Sequence, residues 1–171
     1  AVSKLNTIQK ELGYSIEVNI IGQGENLPKF KKECLKFNNI TFRFIDHLKP
    51  LELDQFLLSE TDVILAMGTS ALEGAKLGIP TLPMDISFKE IPDGYIFTWL
   101  HERGIYSPSE VLNFDDLEYG NCSLKTKIFE VTKNYQSISK AELDYFNKNH
   151  SINSISKSLL KFSQASKLSW K

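Results

Sequence analysis

The sequence of 171 residues has little of several features that would by themselves define a class of protein. Its two cysteines, Cys34 and Cys122, lie far apart and form no CxxC pair, which argues against a disulfide framework and against a metal site. Two such cysteines fit a reducing cytoplasm. No apolar run approaches the roughly 20 residues that cross a bilayer. The formal net charge of −1 leaves no basic surplus, so we expect no nucleic-acid partner.

What the sequence does contain is the composition of one folded domain. Hydrophobic residues make up 42% and charged residues 24%, an ordinary globular balance. The chain is long enough to bury a single core and shows no internal repeat or low-complexity linker, so we expect one domain over residues 1–171. It opens on Ala1, without a methionine, directly in a predicted helix. A domain cut from a longer protein would begin in this way, as would a chain with a processed amino terminus.

Strand and helix patterns alternate along the first half of the chain. The predicted strands span residues 15–21, 41–45, 62–67 and 81–84. The predicted helices span residues 3–12, a segment from Pro28, 50–58 and 71–77. The third strand is nearly all apolar, which is typical of a strand covered on both faces. This order predicts an α/β fold in which a doubly wound, Rossmann-like parallel sheet has helices on both faces.

The C-terminal third is predicted to be a helical extension. Its helices span residues 124–135, 140–148 and 152–165. The stretch Ser139-Lys-Ala-Glu142 has the pattern of a capping box, which would open the second of these helices.

Ligands bind to an open parallel sheet beyond the carboxyl ends of its strands. Four predicted loops meet this condition: residues 22–25, 45–49, 68–70 and 85–88. The third loop carries the clearest signal, because Gly68 allows a ligand to approach the backbone closely. Thr69 and Ser70 add hydroxyls at a helix start, where free N–H groups and the helix dipole favour an anion. The sequence therefore predicts a phosphate site at this turn.

Glu73 lies one turn into the same helix, where two roles compete for its carboxylate. It could accept hydrogen bonds from two hydroxyls of a ribose. Alternatively, Ser70-Ala-Leu-Glu73 is a capping box in which Glu73 accepts a hydrogen bond from the amide of Ser70. The residues alone leave both roles open.

Other patterns in the chain are weaker signals of function. Gly22-Gln-Gly24 lacks the third glycine of the dinucleotide fingerprint, although its amides could still contact a diphosphate or a sugar. The stretch that begins at His101 lacks the second histidine of HExxH, so we expect no zinc site there. Three aromatic residues are expected in the core or at an interdomain surface: Tyr95, Phe97 and Trp99.

Two stretches together resemble a known family. Phe44-Ile-Asp-His-Leu48, followed by a predicted helix and the segment over residues 61–80 with its Gly68-Thr-Ser-Ala-Leu-Glu73 turn, is similar to the C-terminal half of GT-B glycosyltransferases. The likeness is closest to the group that contains the peptidoglycan UDP-N-acetylglucosamine transferase. It extends to bacterial capsule and lipopolysaccharide transferases. The resemblance covers about half the chain, residues 15–87, and depends on the order and spacing of the loops.

The resemblance assigns eight residues to the binding of a nucleoside diphosphate sugar: Gly22, Gly24, Ile45, Gly68, Thr69, Ser70, Glu73 and Asp85. Ile45 matches the position whose backbone reads the base, and Glu73 matches the acidic residue on the ribose, which favours that role over the cap. The turn at Gly68 would face the diphosphate. The two earlier glycines would lie near the phosphates and the sugar, and Asp85 near the sugar.

The resemblance also implies what the rest of the enzyme would do. Retaining members carry two glutamates eight positions apart, and Leu65 stands where the first would be, which favours the inverting branch. The catalytic residues stay unassigned, because the base would come from an N-terminal acceptor domain that this chain lacks. The helix over residues 152–165 is expected to cross back to that domain.

The implied reaction moves a sugar from a nucleoside diphosphate sugar, with UDP favoured, to a glycan or lipid-linked acceptor in polysaccharide biosynthesis. No metal or cofactor is implied. The enzyme would be cytoplasmic and bacterial, at the inner face of the plasma membrane, and the full-length enzyme would associate peripherally with that membrane.

Two rival functions stay open on the sequence. A non-hydrolysing nucleotide-sugar epimerase shares the architecture, but such enzymes carry a doubled acidic pair, whereas Gly74 follows Glu73 here. A non-catalytic interaction module is the other alternative. It would not respond to nucleotides, whereas a transferase half would bind a nucleoside diphosphate through Glu73.

Overall fold

A computed structural model of the chain describes residues 2–104, 108–115, 120 and 122–165. Its helices and strands, in chain order, are α1 Val2–Leu12, β1 Ile16–Ile21, α2 Leu27–Cys34, β2 Ile40–Ile45, α3 Pro50–Glu60, β3 Ile64–Ala66, α4 Thr69–Lys76, β4 Thr81–Pro83, α5 Leu124–Asn149 and α6 Ile152–Ala165. A short 3-10 turn at Leu100–Glu102 lies between β4 and α5. The predicted α/β class and the alternation of helices and strands are confirmed.

The strands form two β-α-β units. β1 and β2 pair in parallel, with Ile16 opposite Ile40, and α2 connects them. β3 and β4 pair in parallel, with Ile64 opposite Thr81, and α4 connects them. Within the described part of the chain the four strands make two separate two-stranded sheets, where the sequence predicts one sheet.

The two strands of the second unit differ in burial. All three residues of β4 are buried, whereas all three residues of β3 are half-buried. The expectation that the third strand is covered on both faces is therefore wrong, and the strand so covered is β4. Gly74 allows α4 to pack closely on this pair: a Cβ there would lie 2.3 Å from Thr81 Oγ1 and 2.6 Å from Ile64 Cδ1.

One hydrophobic core joins both units. It contains buried residues of α1, β2, β4 and α5. Tyr95, Phe97 and Trp99 lie in this core and expose 5%, 3% and 0% of their surface. The ring of Tyr95 meets that of Phe97 edge to face at 4.8 Å, and Lys127 Nζ lies 5.3 Å from the ring centroid of Trp99. Of the two positions expected for these aromatics, the core is the one observed.

The helix α5 replaces two predicted helices. It is kinked at Asn134, where φ is −124° and ψ is 23°, and its N-cap is Ser123. The predicted capping box at residues 139–142 is wrong, because Ser139 lies inside the helix. Glu142 is fully buried instead, with Oε1 lying 3.0 Å from His101 Nδ1. Glu142 therefore packs against the Leu100–Glu102 turn and does not cap the start of a helix.

The last described helix, α6, is exposed along nearly its whole length. From Ile152 to Gln164 every side chain except that of Ser154 is exposed. None of the helices in the described residues is long and apolar enough to span a membrane.

Candidate nucleotide-binding site

The chain turns from β3 into α4 at Gly68. This residue has φ +55° and ψ −133°, in a region that favours glycine, and nothing lies within 4 Å of the place where a Cβ would stand. The helix begins at Thr69, and both Thr69 and Ser70 are exposed. Their hydroxyls are therefore accessible to a ligand at the start of α4.

The capping-box alternative for Glu73 is wrong. The N-cap of α4 is Gly68, two residues before the Ser70 that the box requires, and the amide of Ser70 donates to the carbonyl oxygen of Met67 at 3.2 Å. Because Ser70 already lies in the helix, its amide does not need the carboxylate of Glu73. That carboxylate forms an ion pair with Lys76, whose Nζ lies 2.7 Å from Glu73 Oε2.

Lys76 holds Glu73 from the following turn of the helix and is itself anchored by α3. Its Nζ lies 2.8 and 3.2 Å from the two carboxylate oxygens of Asp54. The hydrogen bonds that Lys76 donates to Asp54 and Glu73 raise its pKa, so the ammonium group stays charged. Glu73 nevertheless keeps 45% of its side-chain surface exposed. The arrangement orients a carboxylate that can accept further hydrogen bonds from a ligand.

A side chain distant in sequence meets the start of α4. The amide of Gly68 donates to Ser109 Oγ at 2.8 Å. This hydroxyl oxygen holds a position at the helix start where an anion oxygen could bind. Since the amides of Gly68 and Ser70 both have partners within the chain, an anion would contact the hydroxyls of Thr69 and Ser70 or displace Ser109.

The first two predicted loops meet at the ends of β1 and β2. The amide of Gly22 donates to the carbonyl oxygen of Ile45 at 2.9 Å, so the structure brings these two predicted residues together. Gly24 is exposed, and its carbonyl oxygen accepts a hydrogen bond from the amide of Leu27 at 3.0 Å, which closes the turn into α2. The backbone at these strand ends is thus well ordered by local hydrogen bonds.

Asp85, directly after β4, is tightly held by the protein. Its carboxylate, with 6% of the side chain exposed, pairs with Arg103 through two hydrogen bonds of 2.6 and 2.9 Å. It also accepts hydrogen bonds from the Glu110 amide at 2.9 Å and from the Tyr95 hydroxyl. Burial by itself raises the pKa of Asp85, but Arg103, Tyr95 and the Glu110 amide outweigh it, so the pKa lies below its ordinary value. A contact between Asp85 and a sugar stays a prediction.

A cleft of about 550 Å³ lies where β3 and β4 end, beside the start of α1. The residues that line it include Ser3, Lys4, Met67, Asp85, Ser87 and Lys89. Lys4 is bound to Asp93 at 2.6 Å, and the Nζ of Lys89 lies 5.3 Å from the ring centroid of Phe114. The cleft therefore combines hydroxyl and ammonium groups with the carboxylates of Asp85 and Glu90, so its polar lining carries charges of both signs.

Comparisons of the chain with protein-family models, with curated proteins and with solved structures find no match. In the described residues, no three His, Cys, Asp or Glu side chains are grouped so that they could hold a metal ion.

Sequence reasoning missed several residues that organise the site. Lys76 could have been found, because its spacing of three from Glu73 is that of an ion pair on one helix face. Arg103 and Ser109 lie 18 and 41 residues from the groups they bind. No spacing rule connects residues at such separations, so only the folded chain shows these contacts.

Proposed function

We propose that the chain is the donor-binding domain of a two-domain GT-B glycosyltransferase, which moves a sugar from a nucleoside diphosphate sugar to a glycan or lipid-linked acceptor. The proposal includes the finer fold, in which the two β-α-β units are parts of one doubly wound, Rossmann-like arrangement. The observation that carries it is Glu73, a half-exposed carboxylate held by Lys76 one turn beyond an exposed helix start.

In this proposal the donor nucleotide lies across the start of α4. Two ribose hydroxyls donate to the carboxylate of Glu73, which its ion pair with Lys76 holds in position. The diphosphate meets the hydroxyls of Thr69 and Ser70, where the helix dipole stabilises negative charge. Charge grows on the diphosphate as the bond to the sugar breaks, so groups fixed at this place favour the transition state.

The remaining predicted residues have supporting roles. The backbone of Ile45 contacts the base, and the loop with Gly22 and Gly24 flanks the phosphates and the sugar. Asp85 shapes the cleft through its pair with Arg103, since both of its oxygens are already engaged. The base that activates the acceptor hydroxyl comes from a second domain, and UDP is the expected nucleotide.

A non-catalytic interaction module is the second candidate, and one observation favours it. The groups that a donor would use are partly satisfied within the chain, because the amide of Gly68 binds Ser109 and the carboxylate of Asp85 binds Arg103. An interaction module that does not bind nucleotides would also have polar groups that are satisfied without a ligand.

Calorimetry with UDP, GDP, ADP and CMP separates the two candidates. We expect UDP to bind most tightly and Glu73→Gln to weaken it about tenfold or more, because a hydrogen bond to a charged group contributes about 1.5–3 kcal/mol. Glu33→Gln is the matched control. Glu33 lies in α2 and also forms an ion pair with a lysine three residues later in the chain, with Lys36 Nζ 2.6 Å from Glu33 Oε2. Absence of binding at millimolar nucleotide, or equal affinities for both variants, would overturn the proposed site.

A further inference from the structure

The helix α6 (Ile152–Ala165) presents a stripe of large apolar side chains to solvent. Ile152, Leu159, Leu160 and Phe162 expose 84%, 63%, 62% and 76% of their surface, and Ile155 exposes 44%. The spacing of residues 152, 155, 159 and 162 places them along one face of the helix, and Leu160 lies on the flank between Ile152 and Lys157. Such a stripe normally faces an apolar partner.

The helix also needs a partner for its own stability. It has 14 residues, and an isolated helix of about 12–15 residues is marginal in water. Inside folded proteins a helix of this length is stabilised mainly by packing of its apolar face. Nearly every side chain of α6 is exposed, so the described part of the chain supplies little of that packing.

The charge of this segment indicates the chemistry of the partner. Residues 145–171 contain five lysines and no acidic residue, whereas residues 1–144 contain 15 basic and 21 acidic residues. Positive charge is therefore concentrated at and around α6. Lys157 and Lys161 lie on the face of the helix opposite the apolar stripe. A large apolar stripe, a lysine-bearing polar face and low mean hydropathy together are typical of helices that lie in a membrane interface.

We propose that α6 binds the surface of an anionic phospholipid bilayer, with its apolar stripe in the boundary between headgroups and acyl chains. The lysines of the segment then attract the negative surface. With 14 residues, a length of about 21 Å, the helix lies in the interface and does not cross it. This occupant differs from the second protein domain that the sequence resemblance suggests for α6. The charge concentration and the lack of acidic side chains favour lipid, and the inference is independent of the nucleotide site.

Cosedimentation with vesicles tests the inference on the full 171-residue chain. We expect binding to vesicles of phosphatidylcholine mixed with phosphatidylglycerol to be about tenfold or more tighter than binding to phosphatidylcholine alone, and to weaken with salt. The double variant Leu159→Ser/Phe162→Ser should lose binding to the mixed vesicles. The double variant Lys157→Glu/Lys161→Glu should lose the preference for the anionic lipid.

A matched control lies on α3. Leu51→Ser/Leu58→Ser removes two apolar side chains of α3 that are 78% and 63% exposed, and it should leave vesicle binding unchanged. Circular dichroism of all variants verifies that the fold is kept. We expect it to be kept because the substituted side chains are exposed. Two results would overturn the inference: equal vesicle binding by the α6 and α3 variants, or a dimer without vesicle affinity that the Leu159→Ser/Phe162→Ser change dissociates.

Discussion

Replacement of Asp85 by alanine would leave a buried guanidinium without its partner. Arg103 exposes only 12% of its side chain, and both hydrogen bonds that it makes to Asp85 would be lost, together with the acceptor of the Tyr95 hydroxyl. Removal of one member of a buried ion pair costs about 3–5 kcal/mol. For a domain of this size, each kcal/mol lowers the melting temperature by about 2–4 °C, so we expect a fall of about 6–20 °C.

Urea and thermal unfolding followed by circular dichroism measure this loss. The control Glu33→Ala breaks a pair whose carboxylate is 52% exposed, and it should cost at most about 0.5 kcal/mol. The double variant Asp85→Ala/Arg103→Met should recover part of the stability, because the unpaired buried charge is then gone. A cost for Asp85→Ala as small as that of Glu33→Ala would refute the assignment of Asp85 to a buried, structural pair.

The same pair predicts a dependence on pH. The pKa of Asp85 lies below its ordinary value of 3.8, so the pair contributes its full stability above that value and loses it as the pH falls through the lower pKa of the folded state. The difference in unfolding free energy between wild type and Asp85→Ala should therefore narrow below about pH 4. A constant difference down to pH 2 would contradict the lowered pKa.

Three further outcomes follow from buried or constrained positions, each measured by urea unfolding. Gly74→Ala should cost about 2 kcal/mol, because overpacking by the added Cβ outweighs the gain in helix propensity. The control Gly24→Ala should change the free energy of unfolding by less than about 0.5 kcal/mol. Equal losses in the two variants would contradict the close packing of α4 on β3 and β4. Gly68→Ala should cost about 1–3 kcal/mol because of its backbone conformation. Burial raises the pKa of Glu142 above its ordinary value of 4.5, so ionisation of Glu142 destabilises the folded chain as the pH rises past that value. The free energy of unfolding of Glu142→Gln should therefore increase relative to that of wild type over this pH range. Parallel pH dependences of the two unfolding free energies would contradict the raised pKa.

Local patterns were enough to predict the α/β class and the helices and strands of the first half of the chain, but not the arrangement of the strands in two sheets. Alternating β-branched stretches and helix-breaking residues identified all four strands and the helices between them, with ends that differ by a few residues. The helix α4 illustrates why ends are harder: the sequence allows Ser70 to be an N-cap, but the positive φ of Gly68 lets the helix begin at Thr69. The sequence is compatible with an N-cap at either Gly68 or Ser70, and the backbone conformation of Gly68 places the N-cap there.

The site was predictable only where its residues are close in sequence. The turn at Gly68 and the carboxylate of Glu73 lie within six positions and share one helix start. The groups that constrain them come from elsewhere: Asp54 through Lys76, and Ser109 through the amide of Gly68. Such contacts depend on how the β-α-β units and the following segment pack, which no local pattern encodes.

Chemical-shift mapping of UDP on the ¹⁵N-labelled chain tests the central claim most directly, because it reports where the nucleotide binds. Millimolar UDP should shift the amide signals of Gly68, Thr69, Ser70 and Glu73, together with those of Gly22 and Ile45, and Glu73→Gln should reduce these shifts while Glu33→Gln leaves them intact. Unchanged signals at the start of α4, or shifts confined to another surface, would contradict a donor nucleotide bound at this turn.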